Sequence, residues 1–354
     1  MQVFKKILIV AGGTGGHIFP ALAIAENLTK RGISVYWLGG EAGMEKELVT
    51  PLYPITLLPI KALRGKNIFQ KILVPFKLIK SVYLACRLIR KINPDIVFGV
   101  GGYASGPGGI AAKIMRKKLV IHEQNAIAGL TNRVLSRFAD KTLQAFPNAF
   151  DQKVNAATVG NPVRESILNI ASPDIRLKNK SLPLCILVLG GSQGAQAINQ
   201  LIPTINLESI CIWHQTGKNN FEETRCAYAR HHSKSLYKIE PFIENMAEAY
   251  GWADLVIARA GALTVSEIMA TGVASILIPY PLAVDHHQDA NAAILVKAVA
   301  AKKIDQDKCN TEILTNEIQI LINQPETLRM MAIRARNQSI PDSVDKIIEL
   351  LISK

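Results

Sequence analysis

Short runs of consecutive apolar residues recur along the chain, separated by longer stretches in which apolar residues return every three or four positions. That rhythm predicts strands alternating with helices, as in doubly wound parallel sheets. In the first half the strands fall near 6–10, 33–38, 55–60, 96–100, 118–122 and 141–145. A second series restarts at 184–189 and continues near 210–214, 236–239, 254–258, 275–279 and 301–304. Val159-Gly160-Asn161-Pro162-Val163-Arg164 joins the two series and sets the hinge near Asn161 and Pro162. After Gln338, Ser339-Ile340-Pro341-Asp342 stops one helix, and an apolar-periodic helix over 344–351 returns to the first domain. The expected domains are 1–161, 162–338 and a terminal helix within 339–354.

The first strand of each series runs into a glycine-rich turn. Ile7-Leu8-Ile9-Val10 is followed by Ala11-Gly12-Gly13-Thr14-Gly15-Gly16-His17, and Ile186-Leu187-Val188-Leu189 by Gly190-Gly191-Ser192-Gln193-Gly194-Ala195. Such turns let backbone N–H groups approach a ligand at a helix N-terminus, where partial positive charge favours phosphate. The chain therefore reads as two similar domains facing one cleft that holds a phosphate-containing ligand. The dinucleotide pattern fails at Ile18, where glycine is required, and neither turn ends in the Lys-Ser/Thr of an ATP-binding loop. Hydride-transfer and NTPase readings are weakened accordingly.

Composition narrows the class. A chain of 354 residues, 49% hydrophobic, is long enough for two cores. No apolar run approaches the ~20 residues that span a bilayer, and Lys5-Lys6-Ile7-Leu8-Ile9-Val10 meets glycines too soon for a secretory signal, so a cytoplasmic protein is expected. The five scattered cysteines offer no C-x-x-C pair and predict neither disulfides nor a zinc site.

Charge is unevenly divided. Residues 1–162 carry 22 Lys and Arg against 8 Asp and Glu, while the remainder carries 19 against 20. The stretch 48–94 has no acidic residue but holds Lys61, Arg64, Lys66, Lys71, Lys77, Lys80, Arg87, Arg90 and Lys91. Interleaved are Ile68, Phe69, Ile72, Leu73, Val74, Phe76, Leu78 and Ile79, too dense a set for the inner face of a helix broken at Pro75. Exposed apolar side chains ringed by cations suit the interfacial layer of an anionic membrane. The alternative is a solvated helix whose stripe packs on the sheet. Nucleic acid is disfavoured, because the segment lacks aromatic stacking platforms.

Several strings, in order, carry a resemblance: residues 11–20 (AGGTGGHIFP), 101–109 (GGYASGPGG), His122-Glu123-Gln124-Asn125, 160–164 (GNPVR), 190–195 (GGSQGA), Ile212-Trp213-His214-Gln215 and 262–267 (ALTVSE). Over nearly the whole chain the sequence resembles the bacterial peptidoglycan N-acetylglucosaminyltransferases, which make lipid II from lipid I. The resemblance implies a GT-B fold of two Rossmann-like domains about a central cleft. It implies UDP-N-acetylglucosamine as donor, undecaprenyl-linked lipid I as acceptor, and inverting transfer to the 4-hydroxyl of N-acetylmuramic acid. It implies no cofactor and no metal, a peripheral position on the cytoplasmic face of the inner membrane, and other cell-wall synthesis proteins as partners. The alternative class is another GT-B enzyme, a glycolipid glycosyltransferase or a UDP-N-acetylglucosamine 2-epimerase.

Site residues follow from the matched motifs. Uracil is placed against the backbone at Ile243, the ribose on Glu267, and the sugar among Asn125, Ala262, Leu263, Thr264 and Gln288. Val265, Ser266, Arg164 and Ser192 join the donor site, as do Thr14, Gly15 and Gly16. Thr14, His17, Gly102 and Tyr103 are assigned to the acceptor. His17 is either the general base or a positioning group, with Glu123 as reserve base or as a carboxylate that caps neighbouring backbone. Thr264-Val265-Ser266-Glu267 also reads as a capping box with Thr264 as N-cap. Asp285-His286-His287 is read as a helix start with solvated imidazoles rather than a metal cluster.

Overall fold

The computed structural model describes residues 5–13, 15–41, 43–60, 74–178, 180, 182–191, 194–231 and 236–353. Thr14, Ser192, Gln193 and the apolar-basic stretch 61–73 lie outside the described residues. The chain divides into two compact units, Met1–Pro162 with Asp342–Lys354, and Val163–Pro341.

The first unit holds β1 (Lys6–Ala11), β2 (Ser34–Gly40), β3 (Ile55–Leu58), β4 (Ile96–Gly101), β5 (Lys118–Glu123), β6 (Lys141–Gln144) and β7 (Ala157–Thr158). They form one parallel sheet in the order β3-β2-β1-β4-β5-β6-β7. The second unit holds β8 (Leu184–Leu189), β9 (Ile210–Gln215), β10 (Leu236–Glu240), β11 (Leu255–Ala258), β12 (Ala274–Leu277) and β13 (Ala301–Lys303), ordered β10-β9-β8-β11-β12-β13. Both sheets reverse direction of growth beside their first strand, which bears out the expectation of two Rossmann-like sheets. Strands expected to reach residues 60 and 279 stop two residues earlier, just before Pro59 and one residue before Pro279, since proline cannot donate to a ladder. The two-residue β7 carries too little pattern to be read from sequence.

Helices cover both faces of the first sheet, so successive residues of β1 are buried on opposite sides. Ile7 and Ile9 pack with Ile18, Ile24 and Leu28 of the helix Gly15–Lys30, while Leu8 and Val10 pack with Ala85 and Ile89 of the helix Val74–Ile92. The latter helix begins at Val74 and is not broken by Pro75, which sits in its first turn where a missing N–H costs nothing. Its Ser81, Ala85 and Ile89 are buried, whereas Phe76, Lys77, Leu78, Ile79, Lys80 and Tyr83 are exposed.

The terminal helix Ser343–Ile352 completes the first unit by packing Ile347, Ile348 and Leu351 on the helix Gly15–Lys30. Its start is pinned by Ser343 Oγ donating to Asn161 O at 2.8 Å. At its other end the ammonium groups of Lys118 and Lys141 donate to the carbonyls of Leu351 and Leu350 at 3.2 and 3.0 Å, satisfying groups that a helix terminus leaves without partners. Ile348→Ala should therefore destabilise the first unit by about 2 to 4 kcal/mol. Urea unfolding followed by circular dichroism measures this, and a loss below about 0.5 kcal/mol would contradict the packing described.

Candidate active site

In each unit the carboxyl ends of the strands flanking the reversal are where an open α/β sheet binds ligands. In the first unit these are the ends of β1 and β4, leading to Gly12-Gly13 and Gly101-Gly102. Gly102 has φ +81° and lies so close to the Gly12 carbonyl that a Cβ there would overlap it, so the two turns pack backbone on backbone. Ser105, fully buried, straps them: its Oγ accepts the Gly101 N–H at 2.9 Å and lies 2.7 and 3.0 Å from the Gly101 and Val10 carbonyls. Tyr103 beside them is half exposed.

One residue of this turn was not legible from spacing. Glu45, fully buried, accepts the N–H groups of Gly13 and Gly40 through Oε1 at 2.9 and 3.0 Å. The Gly13 amide therefore serves an internal carboxylate. The helix Gly15–Lys30 starts just beyond it, carrying Gly16 and His17 in its first turn. In sequence Glu45 is one of three carboxylates in a polar run, with nothing to mark it as internal.

His17 is half buried, and its Nδ1 lies 2.9 Å from Gln124 Oε1. Gln124 Nε2 in turn lies 2.9 Å from His122 Nδ1 and donates to the His122 carbonyl at 3.1 Å. His122 Nε2 reaches the Gly160 carbonyl at 3.0 Å. Burial pushes the His122 imidazole down to about 4, so it is neutral near pH 7.

Glu123 takes the capping task. Its Oε1 accepts from Asn125 N and Nδ2, both at 3.0 Å, and its Oε2 accepts from Gly129 N at 3.1 Å and Asn132 Nδ2 at 2.9 Å. Both oxygens of this buried carboxylate are engaged, as the capping alternative for Glu123 requires. It holds the loop that carries Asn125.

In the second unit, β8 leads into Gly190-Gly191 and β11 into Arg259-Ala260-Gly261. Gln215, at the end of β9, donates through Nε2 to Gly191 O at 3.3 Å and accepts the Ile243 N–H through Oε1 at 3.0 Å. It ties the glycine turn to the segment assigned to uracil. The Ile243 amide is thereby committed within the protein. Behind Gln215, His214 sits fully buried between Tyr228 Oη and Asn199 Oδ1, each at 3.0 Å, with its imidazole driven by burial down to about 3.

The helix Ala262–Thr271 starts from Gly261, so Thr264 lies within it and is not an N-cap. The capping-box reading fails because the chain is already helical two residues earlier. Glu267 is instead reached by Tyr250, whose Oη donates to its Oε2 at 3.1 Å. Burial raises the Glu267 carboxyl above its usual 4.5, opposed by the nearby Arg164 guanidinium and by the Tyr250 bond. Gln288 Oε1 accepts the Tyr280 N–H at 2.9 Å. Asp285 and His286 both take left-handed backbone, with His286 itself the N-cap of the helix His287–Lys297, and His287 Nδ1 lies 2.7 Å from Val284 O. Gly15, Gly16, His17, Gly102, Tyr103, Glu123 and Asn125 thus gather on the first unit, while Arg164, Ile243, Ala262, Leu263, Thr264, Val265, Ser266, Glu267 and Gln288 belong to the second.

Two parallel sheets of this order, each ending its first strand in a glycine turn, define a GT-B fold of two Rossmann-like domains. The chain belongs to glycosyltransferase family 28: residues 7–144 match the family 28 N-terminal domain and residues 185–347 its C-terminal domain. It is 48% identical over 349 residues to a Coxiella burnetii protein named UDP-N-acetylglucosamine--N-acetylmuramyl-(pentapeptide) pyrophosphoryl-undecaprenol N-acetylglucosamine transferase, covering 97% of each chain. A Marinobacter nauticus protein of the same name is 45% identical over 350 residues, covering 97% of this chain and 96% of that one. The crystal structure of Acinetobacter baumannii MurG superposes with a TM-score of 0.86 at 38% identity, over 98% of this chain and 99% of that one.

The raised Glu267 carboxyl has a thermodynamic signature. Below pH 4.5 it is protonated in both folded and unfolded chains; as pH rises above 4.5 the unfolded chain ionises first, so this group's contribution to stability falls. Glu267→Gln keeps an acceptor for Tyr250 and removes that loss. The variant should melt higher than the parent above pH 4.5 and match it below, and a melting difference independent of pH would contradict the assignment.

Proposed function

We propose that this chain transfers N-acetylglucosamine from UDP-N-acetylglucosamine to lipid I, giving lipid II. Near-full-length identity to transferases of that name carries the reading. The acceptor is undecaprenyl-pyrophosphoryl-N-acetylmuramyl-pentapeptide, and transfer to its 4-hydroxyl inverts the anomeric carbon without a covalent intermediate. The first unit with its terminal helix takes the acceptor, through Thr14, His17, Gly102 and Tyr103. The second takes the donor, with Arg164 and Glu267 at the nucleotide, Ile243 at the uracil, and Ala262, Leu263, Thr264, Val265, Ser266 and Gln288 around the sugar. Asn125, Gly15 and Gly16 complete the donor set from the first unit.

Chemically, the acceptor oxygen bonds to the anomeric carbon as the bond to the UDP oxygen breaks, and the departing electron pair stays on the pyrophosphate. That growing charge is assigned to Ser192 and the backbone N–H groups from Gly191 to Gly194, because a leaving anion is best met by donors rather than by reorganising water. The proton of the acceptor hydroxyl passes to His17. A neutral imidazole is suited to this near pH 7. The bond between Tyr250 and Glu267 supports a preset carboxylate for the ribose hydroxyls.

Among the described residues no helix is long and apolar enough to cross a membrane. The helix Val74–Ile92 supports peripheral attachment to the cytoplasmic face of the inner membrane. Phe76, Ile79 and Tyr83 are exposed beside Lys77 and Lys80, a combination that adds apolar burial to roughly 1 kcal/mol per cation at an anionic surface. Other enzymes of cell-wall synthesis are proposed as partners at that surface.

Radiolabelled UDP-N-acetylglucosamine with a short-chain lipid I analogue tests the activity: label on the lipid supports it, whereas free N-acetylmannosamine identifies an epimerase and binding without turnover a sensor. His17→Ala should lower turnover by ~100-fold or more at saturating substrates. Near-normal turnover would remove His17 as the base. Phe76→Asp with Ile79→Asp should weaken binding to vesicles containing anionic lipid by about tenfold or more while leaving the melting temperature unchanged. Unaltered vesicle binding would sink the membrane assignment.

A further inference from the structure

We propose that Gln124 and His122 are positioning residues that lock His17 in one tautomer, with the proton on Nδ1 and the lone pair on Nε2. This deepens the reading of His17 as base and rests on it for its role in turnover. The direction of every hydrogen bond in the chain is set by a backbone carbonyl. Gly160 O can only accept, so His122 Nε2 carries the proton and its Nδ1 is an acceptor. Gln124 Nε2 lies within reach of both that nitrogen and the His122 carbonyl, so the amide cannot flip without setting its oxygen against another oxygen. Gln124 Oε1 is then the acceptor that faces His17, and His17 Nδ1 must donate to it. Proton transfer is left to Nε2.

Three further features keep the relay in register. Gly101, at φ +112°, leaves the space: a Cβ there would stand 2.8 Å from His17 Nδ1 and 3.3 Å from Gln124 Oε1. Asn161 Nδ2 donates to the Gln124 carbonyl at 3.0 Å, and Ser343 holds Asn161 in turn, so the segment supplying Gly160 also braces Gln124. Burial keeps His122 uncharged near pH 7, which its accepting nitrogen requires. Among the described residues, His122 and Glu123 flank Gln124, while Tyr103 and Glu45 stand beside Gly13. On the terminal helix, Asp345 pairs with Arg31 at 2.5 Å at the other end of the helix carrying His17, and Lys346 pairs with Asp342. A base held in one tautomer by a neutral amide has its lone pair oriented without acquiring a fixed charge, unlike one paired with a carboxylate.

The test uses the 15N-labelled full-length chain, reading imidazole tautomers by 15N–1H correlation above pH 7.5 and turnover with the lipid I analogue. The parent should show His17 as the Nδ1–H form. Gln124→Met removes the acceptor, so the His17 signals should move to a tautomer mixture and kcat should fall about 10- to 100-fold, with KM for UDP-N-acetylglucosamine changed less than about threefold. Gln124→Glu keeps an acceptor toward His17 but sets its second oxygen against His122 Nδ1 and the His122 carbonyl, so it should recover the Nδ1–H form of His17 while kcat stays below that of the parent, with the acid limb of the pH–rate profile moved upward because an anion favours imidazolium. An unchanged His17 tautomer in Gln124→Met overturns the proposal whatever happens to the rate. So does a parent already in the Nε2–H form. If His17→Ala retains turnover the base reading fails instead, and the tautomer signals still decide whether the relay exists.

Discussion

The arrangement of the first unit depends on one close approach, the backbone of Gly102 against the carbonyl of Gly12. Strands that are neighbours in the sheet must send their following turns past each other, and only a residue without a Cβ lets these two meet. Ser105 then bonds to both strands at once, so the ends of β1 and β4 behave as one rigid piece. From that piece His17 projects beside Gly101 toward Gln124, at the end of the next strand. The candidate base is therefore placed by three strand ends.

The two units brace their turns with different chemistry. In the first, buried carboxylates do it: Glu45 gathers the amides of Gly13 and Gly40, and Glu123 gathers Asn125, Gly129 and Asn132. In the second, neutral amides and an imidazole do it, through Gln215, Asn199 and His214. A carboxylate spends backbone N–H groups and adds negative charge, whereas a carboxamide ties a turn together without opposing an anion nearby. The basic excess of the first half lies elsewhere, including on the exposed face of the helix Val74–Ile92.

Much of the fold was legible because a strand covered on both faces is a plain apolar run, and in two sheets of this kind the runs repeat at helical spacing. Strand ends were read within a few residues, missing where a proline cut the ladder or where β7 offered only two residues. The site was legible where chemistry demands particular residues in local order, as at His17 and the glycine turns. It was not legible where a side chain's meaning lies in what packs on it. Glu123 had the composition of a base and the surroundings of a cap, while Glu267, three residues after the Thr264 hydroxyl and inside a helix, had the spacing of a cap and takes the Tyr250 hydroxyl as its partner.

What the sequence determined by itself was therefore periodic or local: which segments pair into sheets, where the turns fall, which half is basic, and which family's motifs are present. Tertiary structure alone decided which polar atoms are occupied. Glu45, Gln124 and Tyr250 acquire their roles from partners 32, 107 and 17 residues away, and no local pattern encodes a hydrogen bond across such separations. Backbone propensity acts over a few residues, whereas the satisfaction of a buried donor or acceptor is settled only when distant strand ends meet.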